Sequence, residues 1–287
     1  MHPVGLIGVG LLGQALAERL LGGGFAVVGF DVDPTRRTAL AQLGGQAVAS
    51  AAEVTGQCRR VVLSLPDSDV VLQVMDGLTE TLQPGTLLLD TTTGDPDTMA
   101  ALAGRLATRG VSYLDTCVVG SSEQARRGEV LLLIGGAASV VAAQADLFDL
   151  LARQRFVVGG PGAGARAKLV VNLVLGLNRA VLAEGLALAR ACELDLAGML
   201  KVLRSGAAYS RVMDIKGEKM LRRDFAPQAR LRQHAKDVGL ILEQAARTGQ
   251  SLPLSEVHRA LLQQAMEQGG SDEDNSAILR AYDPPMS

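Results

Sequence analysis

The chain has 287 residues, of which 48% are hydrophobic and 20% charged, so it is long enough for one large or two modest domains and is not globally disordered. Its formal charge of -2 excludes the strong basic excess that a nucleic-acid or anionic-membrane partner requires. Aromatic residues make up only 3%, which disfavours base stacking. We therefore expect neither nucleic acid nor a membrane as the main partner.

The three cysteines show no CxxC or CxxH spacing. This pattern predicts neither a disulfide framework nor a metal site, and it favours a reducing, cytoplasmic location. The apolar start of the chain lacks a basic segment and runs into a glycine turn, so we expect a first strand rather than a signal peptide.

In the first half, short apolar runs alternate with helical patterns, which predicts βαβ units on a parallel sheet covered on both faces. The predicted strands are Val4–Ile7, Ala26–Phe30, Val61–Ser64, Thr86–Leu89, Val111–Leu114, Val130–Ile134 and Phe156–Val158. Helices are predicted between them, at Leu12–Leu21, Thr35–Leu43, Val70–Met75 and Thr98–Thr108.

A Gly-Gly-Pro-Gly cluster at 159–162 marks the predicted domain boundary, because clear strand runs stop there. We expect a Rossmann-type α/β domain at 1–160 and an all-α domain at 161–287. The latter begins with a long helix, Ala163–Cys192, whose internal polar residues favour a buried helix over a membrane span. Further on, we expect His258 on a helix surface and the acidic run 272–274 in a solvated loop.

The GxGxxG pattern occurs at Gly8-Val9-Gly10-Leu11-Leu12-Gly13. This segment lies between a predicted strand and a predicted helix, which is the context that the motif requires. Gly8 permits a tight turn, Gly10 lets the backbone approach a pyrophosphate, and Gly13 allows close helix packing. The segment therefore predicts a dinucleotide site, in preference to an ordinary tight turn, with Leu11 and Leu12 as part of the cofactor-binding loop.

Asp31 ends the second predicted strand, eighteen residues after Gly13. An acid at this position accepts hydrogen bonds from ribose hydroxyls and repels a 2′-phosphate, which favours NAD over NADP. NADP remains an alternative, because Arg36 and Arg37 could bind its 2′-phosphate. Arginines in the first turn of a helix are, however, more often solvated.

Lys168 lies near the start of the long predicted helix, and Asn172 follows one turn later on the same face. The positive helix end and partial burial would lower the pKa of the amine toward neutrality. From spacing alone, a solvent-facing lysine is the simpler interpretation.

Four segments in order along the chain carry a wider pattern: GLIGVGLLG at 5–13, DTCVVGSSEQARRGEV at 115–130, GAGARAKLVVN at 162–172 and HAKDVGLIL at 234–242. They resemble the cofactor turn, the DAPVSGGxxxAxxGxL segment, the GxxxxxKxxxN segment and the KDLxLA segment of the β-hydroxyacid dehydrogenase family. That family includes 3-hydroxyisobutyrate dehydrogenase and tartronate semialdehyde reductase, and its helical domain is 6-phosphogluconate dehydrogenase-like.

The resemblance implies a role for each matching position. Lys168 would be the general acid or base and Asn172 would orient the substrate. Gly120, Ser121 and Ser122 would bind the substrate, where backbone N–H groups before a short helix could hold an anion. Cofactor contacts are implied for Leu65 and Pro66, with Thr93 bordering the nicotinamide and Lys236 approaching cofactor and substrate. The family also implies a homodimer or homotetramer, formed through the long helix and the helical domain.

Four of the departures from the family pattern bear on the substrate site: Val119 replaces its serine, Ser121 its second glycine, Cys117 its proline and Val171 the first asparagine of its KxxNN. In an extended segment Val119 and Ser121 project to the same side, so Ser121 could supply the lost hydroxyl. The reaction type is retained, whereas the particular substrate is left open.

We therefore expect reversible hydride exchange between NAD, or alternatively NADP, and a small 3-hydroxy acid or its semialdehyde. Two alternatives remain: an imine reductase on the same scaffold, and a dinucleotide-binding protein without turnover. The retained Lys168 argues against both.

Overall fold

The structure, a computed structural model, describes residues 2–78 and 81–283. It divides into two compact units, Met1–Lys168 and Leu169–Ser287.

An eight-stranded sheet forms the centre of the first unit, in the order β3-β2-β1-β4-β5-β6-β7-β8. The strands are β1 Val4–Ile7, β2 Val27–Phe30, β3 Gln46–Ala47, β4 Arg60–Leu63, β5 Leu87–Asp90, β6 Ser112–Val119, β7 Leu131–Gly135 and β8 Gln154–Gly159. All neighbouring strands are parallel except β6 and β7, which are antiparallel. The predicted α/β Rossmann-type sheet is therefore confirmed, with one antiparallel pair that the strand pattern did not indicate.

Within the described residues of the first unit, eight helices follow or connect these strands. They are α1 Leu11–Gly22, α2 Pro34–Gln42, α3 Ala51–Gln57, α4 Ser68–Leu78, α5 Pro96–Ala107, α6 Ser122–Arg126, α7 Ala138–Ala142 and α8 Ala145–Leu151. Alternate strand residues enter two separate apolar cores: Leu87 and Leu89 belong to one, and Leu88 belongs to the other. The sheet is thus covered on both faces, as expected, except at its two edge strands, β3 and β8, whose residues are all exposed.

The second unit is helical, as the loss of strand patterns predicts. Its helices are α9 Ala163–Ala191, which begins in the first unit, α10 Leu196–Ser205, α11 Arg211–Arg222, α12 Leu231–Thr248 and α13 Pro253–Ala265, followed by a π-helical turn Met266–Gly270 and a 3₁₀ helix Asn275–Tyr282. They share an apolar core that includes Leu182, Leu200 and Ile278. By length and composition alone α9 could also cross a membrane, although 44% of its most apolar window is buried within the protein.

The expectation that the acidic run 272–274 forms a solvated loop is wrong for Asp274, which is completely buried. Its carboxylate accepts hydrogen bonds from Lys216 Nζ at 2.8 Å, from the Gln228 N–H at 3.0 Å and from Ser276 Oγ at 2.7 Å. Burial raises the pKa of Asp274, but Lys216 and these hydrogen bonds outweigh it and bring the pKa below the ordinary 3.8. The residue therefore ties α11, the start of α12 and the 3₁₀ helix together.

Asp274→Asn should lower the free energy of unfolding by about 3–5 kcal/mol, because it leaves the Lys216 ammonium buried without a counter-charge. Since the folded-state pKa of Asp274 lies below its unfolded value, the stabilisation is present above pH 3.8 and is lost as the pH falls further. Urea denaturation would measure both effects. Asp272→Asn is the matched control, because the Asp272 side chain is 69% exposed and should contribute less than about 1 kcal/mol. Equal losses in the two variants would contradict this account.

Candidate functional site

The strands β1, β4, β5 and β6 are parallel neighbours, so their carboxyl ends lie side by side at the same end of the sheet. The segments that follow them contain four sets of predicted site residues: Gly8–Gly13, Leu65–Pro66, Thr93 and Gly120–Ser122. β1 lies between β2 and β4, so the connections from β1 and β4 leave in opposite directions along the sheet. Ligands of open α/β sheets bind at such a point.

The three glycines of the turn after β1 differ in their surroundings. Gly8 has a φ of +95°, and a Cβ there would collide with the Ser64 backbone. A Cβ on Gly13 would collide with the Gly8 carbonyl oxygen, so helix α1 packs against the turn. A Cβ on Gly10 would find only one neighbour within 4 Å, Arg36 Nη1 at 3.8 Å. Gly8 and Gly13 are therefore required by the fold itself, whereas the space beside Gly10 is open for a ligand.

Asp31 is buried at the end of β2, and both of its carboxylate oxygens accept backbone hydrogen bonds. The Val9 N–H donates to Oδ2 at 2.7 Å and the Asp33 N–H donates to Oδ1 at 2.9 Å. The side chain thus also holds the glycine turn, a role that the sequence pattern did not reveal. Arg36 Nη1 lies 3.4 Å from Oδ2 and is therefore paired with this carboxylate.

Arg37, the other arginine considered for phosphate binding, is directed toward the backbone. Its Nη1 donates to the Asp31 carbonyl oxygen at 2.6 Å and to that of Val32 at 3.2 Å. Of the two arginines, Arg36 is thus the one that lies beside the turn.

Asp90, at the end of β5, holds the loop that contains Thr93. Its Oδ1 accepts from the Thr92 N–H at 2.9 Å, and its Oδ2 accepts from the Tyr113 hydroxyl at 2.6 Å. Burial raises the pKa of Asp90 to about 6, against the opposing effect of these hydrogen bonds. Thr92 Oγ1 in turn accepts from the Leu65 N–H at 3.2 Å, which connects the loops after β4 and β5.

Gly120, Ser121 and Ser122 lie between β6 and the short helix α6. Gly120 has a φ of +148°, and Ser121 forms a reciprocal capping box with Gln124. The N–H groups of Ser121 and Gln124 are therefore already used, so fewer backbone donors are available for an anion than expected. The Ser121 hydroxyl accepts in this cap, which leaves its hydrogen to be donated to a ligand.

Lys168 lies in the first turns of α9, within the first unit. Its Nζ donates to the Val118 carbonyl oxygen at 2.7 Å, close to the end of β6. The amine is therefore directed toward the segment that continues into Gly120–Ser122, and its side chain is half-buried rather than fully solvated.

Asp115, which sequence analysis assigned no role, anchors the beginning of α9. Its Oδ1 accepts from the Gly162 N–H at 2.9 Å, and its Oδ2 accepts from the Ala165 N–H at 2.9 Å. Burial raises the pKa of Asp115, and the helix N–H groups oppose that shift. The sequence does contain a signal for this role, namely an acidic residue within an apolar strand segment. A buried carboxylate requires hydrogen-bond donors, so a structural role was to be expected.

The remaining predicted residues, Asn172 and Lys236, meet at Asp237 in the second unit. Asn172 Nδ2 donates to Asp237 Oδ2 at 2.8 Å, and Lys236 Nζ lies 3.2 Å from Asp237 Oδ1. Asn172 and Asp237 are buried, and their hydrogen bond connects α9 with α12. Asp237 is thus another residue whose role the sequence did not reveal, although it lies in one of the motifs that suggested the family.

His234 and His258 form a separate buried pair, with ring centroids 5.2 Å apart. The expectation that His258 lies on a helix surface is therefore wrong. Burial, with a contribution from Arg179, lowers the pKa of His258 to about 4. The ring is consequently neutral at neutral pH and is packed as part of the helical core.

Each of the two parts of the chain matches a known protein family. Residues 3–160 match a family described as the NAD binding domain of 6-phosphogluconate dehydrogenase. Residues 162–282 match one described as NAD-binding of NADP-dependent 3-hydroxyisobutyrate dehydrogenase.

Similar proteins cover nearly the full length of the chain. L-threonate dehydrogenase from Cupriavidus necator is 29% identical, over 97% of this chain and 95% of that protein. The 2-hydroxy-3-oxopropionate reductase of Escherichia coli is 29% identical, over 98% of this chain and 97% of that protein. A crystal structure of 3-hydroxyisobutyrate dehydrogenase from Salmonella typhimurium superposes with a TM-score of 0.89 at 26% identity, covering 98% of this chain and 99% of that one.

Gly10→Ala should weaken NADH binding by at least about tenfold, because the added methyl group occupies the space that a pyrophosphate needs. The melting temperature should not change, since the methyl group meets no atom closer than 3.8 Å. Gly22→Ala, at the end of the same helix and with no atom within 4 Å, is the matched control and should bind NADH normally. Fluorescence titration with NADH would measure the affinities, and wild-type affinity in Gly10→Ala would contradict the assignment of the turn.

Proposed function

The chain belongs to the β-hydroxyacid dehydrogenase family of NAD(P)-dependent oxidoreductases, and we propose that it exchanges a hydride between NAD and a small 3-hydroxy acid, whose oxidised form is a semialdehyde or related oxo acid. The bound nicotinamide supplies or accepts the hydride. The protein itself has to bind the two reactants, orient them and move one proton.

Lys168 is the proposed acid and base. In the reducing direction, hydride transfer to the carbonyl carbon places negative charge on the oxygen, and the Lys168 ammonium donates its proton there. In oxidation the neutral amine takes the hydroxyl proton. The hydrogen bond to the Val118 carbonyl supports this role, since it holds the amine at the end of β6, where the substrate segment begins.

Asn172 follows Lys168 by one turn of α9 and is the proposed substrate-orienting residue. Its amide nitrogen is used by Asp237, which fixes the amide plane and leaves the amide oxygen as an acceptor for a substrate hydroxyl. Asp237 is therefore a positioning residue, and its interaction with Lys236 keeps that cation near the same amide.

The substrate carboxylate is proposed to bind at Gly120–Ser122. Ser121 can donate its hydroxyl hydrogen while the oxygen caps α6. It would replace the serine that the family carries at the position of Val119. Because the Ser121 N–H of this segment and the nearby Gln124 N–H are already used in the capping box, the hydroxyl is the more important contact.

For the cofactor, the open space beside Gly10 fits the pyrophosphate, and the N–H groups at the start of α1 favour its charge. Gly8, Leu11, Leu12 and Gly13 complete this loop. Leu65 and Pro66 border the cofactor from the loop after β4. Thr93, on the loop held by Asp90, is proposed to border the nicotinamide.

Lys168→Ala should lower kcat by about 10²–10⁴-fold or more, because a positioned proton donor contributes that much. NADH affinity and the melting temperature should remain close to those of the wild type. Lys201→Ala is the matched control, since Lys201 is exposed on α10. Stopped-flow and steady-state absorbance assays over short 3-hydroxy acids and semialdehydes would measure turnover. Wild-type turnover in Lys168→Ala would remove the proposed mechanism.

The proposed preference for NAD over NADP rests on the Asp31 carboxylate, which repels a 2′-phosphate. Asp31→Asn should reduce the ratio of NAD to NADP affinities by at least about fivefold, because a nearby charge repulsion of about 1 kcal/mol is lost and Arg36 is released. Binding titrations with both cofactors would measure the ratio. Asp76→Asn is the control, because the Asp76 side chain is 71% exposed on α4. An unchanged ratio in Asp31→Asn would show that another group discriminates.

We also propose a cytoplasmic homo-oligomer, a dimer or a tetramer. Exposed apolar side chains at Val170, Val174, Val181 and Leu188 follow spacings of four and seven residues, which place them along one face of α9. Such a stripe is typical of a helix that packs against another chain. Sedimentation equilibrium should accordingly give a mass at least twice that of a single chain.

A further inference from the structure

The second unit contains a pocket of about 220 Å³ that shares no residue with the candidate site. Six apolar residues from α9, α10, α11 and the 3₁₀ helix line it: Leu186, Ala187, Leu196, Met220, Leu221 and Leu279. Its two remaining lining residues are arginines, Arg190 and Arg223. The pocket thus combines an apolar interior with two cations.

Both arginines bind one carboxylate of the chain itself. Arg223 pairs with both oxygens of Asp283, through Nη1 to Oδ1 at 3.0 Å and through Nη2 to Oδ2. Arg190 Nη1 donates to Asp283 Oδ1 at 3.3 Å, and its Nη2 donates to the Tyr282 carbonyl oxygen at 3.1 Å. The planar, two-pronged pairing of Arg223 suits carboxylates and phosphates, and here the group that it binds is a carboxylate.

The charges at this site do not balance. Two guanidinium groups, each more than 40% exposed, face a single carboxylate. Of the other charged groups nearby, Arg280 pairs with Glu273 at 2.7 Å, whereas the Glu184 carboxylate accepts from the neutral Tyr282 hydroxyl at 2.9 Å and keeps its charge. The two arginines that line the pocket therefore carry one positive charge more than the Asp283 carboxylate that they bind.

Arg223 has a backbone conformation that favours glycine, with a φ of +53° at the end of α11. Helix α12 ends in the same left-handed conformation with a glycine, Gly249. At the end of α11 an arginine takes the unfavourable conformation instead, and its side chain then lies at the pocket and on Asp283. Strain of this kind persists only where the surrounding structure holds the residue in place.

We propose that this pocket binds an aliphatic monocarboxylate. The hydrocarbon chain enters the apolar interior, and the carboxylate takes the place of Asp283 on Arg190 and Arg223. The volume lies below the roughly 300–1,000 Å³ of pockets for drug-sized ligands, which limits the ligand to a short or medium chain. Asp283 acts as an internal competitor that occupies the arginines when no ligand is present.

Isothermal titration calorimetry of the full-length protein with octanoate tests the proposal. We expect saturable binding of one octanoate per chain, at least about tenfold tighter than that of octanol, which lacks the carboxylate, or of acetate, which lacks the hydrocarbon chain. Equal binding of octanol and octanoate, or no saturable binding at all, would overturn it.

Variants locate the binding site. Arg223→Gln and the pocket-filling Ala187→Phe should each weaken octanoate binding by at least about tenfold, whereas Asp283→Asn should tighten it by removing the competitor. Arg222→Gln is the matched control, because the neighbouring Arg222 side chain is 78% exposed and does not line the pocket. Arg190→Gln provides a second test if Arg223→Gln does not fold.

Two results would refute this location. Unchanged affinity in both Arg223→Gln and Ala187→Phe would place octanoate elsewhere, for example at the substrate segment. Binding that occurs only as the oligomer dissociates, measured by sedimentation in the same samples, would identify a second copy of the chain as the natural occupant. Neither result would affect the proposed dehydrogenase activity, which depends on Lys168.

Discussion

The buried carboxylate of Asp115 is the contact on which the candidate active site depends. Its two oxygens accept the N–H groups of Gly162 and Ala165, so a strand of the sheet and the first turn of α9 are held together by hydrogen bonds in the interior. The approach is close enough that a Cβ on Gly135 or on Gly164 would collide with this carboxylate. Because Lys168 lies one turn further along α9, this contact determines where the amine is directed.

Two other carboxylates at the carboxyl ends of strands hold neighbouring loops in the same way. Asp31 holds the glycine turn through the Val9 N–H, and Asp90 holds the loop after β5 through the Thr92 N–H. Each uses a buried negative charge, which requires several donors to offset its desolvation. The loops that would contact the cofactor are thus fixed before it binds, which reduces the entropy lost on binding.

The second unit uses buried charge differently. Asp274 and Lys216 connect three helical segments, whereas Asp237 orients the amide of Asn172. The first interaction supports the helical fold, and the second supports a proposed catalytic function. The pocket bounded by Arg190 and Arg223 is a third case, in which the carboxylate comes from the end of the described chain.

Local signals in the sequence were enough for the main elements and the family. Apolar runs and helical periods predicted most of the long helices and strands to within a few residues, and the glycine spacing after β1 identified the turn. Short elements were missed: α3, α7 and α8 have only five to seven residues, and β3 has two exposed residues, so none shows a recognisable period. The antiparallel β6–β7 pair was missed because strand composition does not encode direction. It follows from the short link containing α6, since a parallel connection needs a longer crossover.

The residue types and their spacing determined the α/β and helical halves and the dinucleotide turn, and the resemblance of four segments to the family's motifs identified the candidate lysine. Only the tertiary structure decided which polar side chains are buried, and therefore what they do. In the sequence, Asp115, Asp237 and His258 look like ordinary strand or helix residues and Asp274 like a loop residue, but their roles depend on partners far along the chain. The physical reason is that burial and hydrogen-bond partners are set by packing between elements, which a local pattern does not contain.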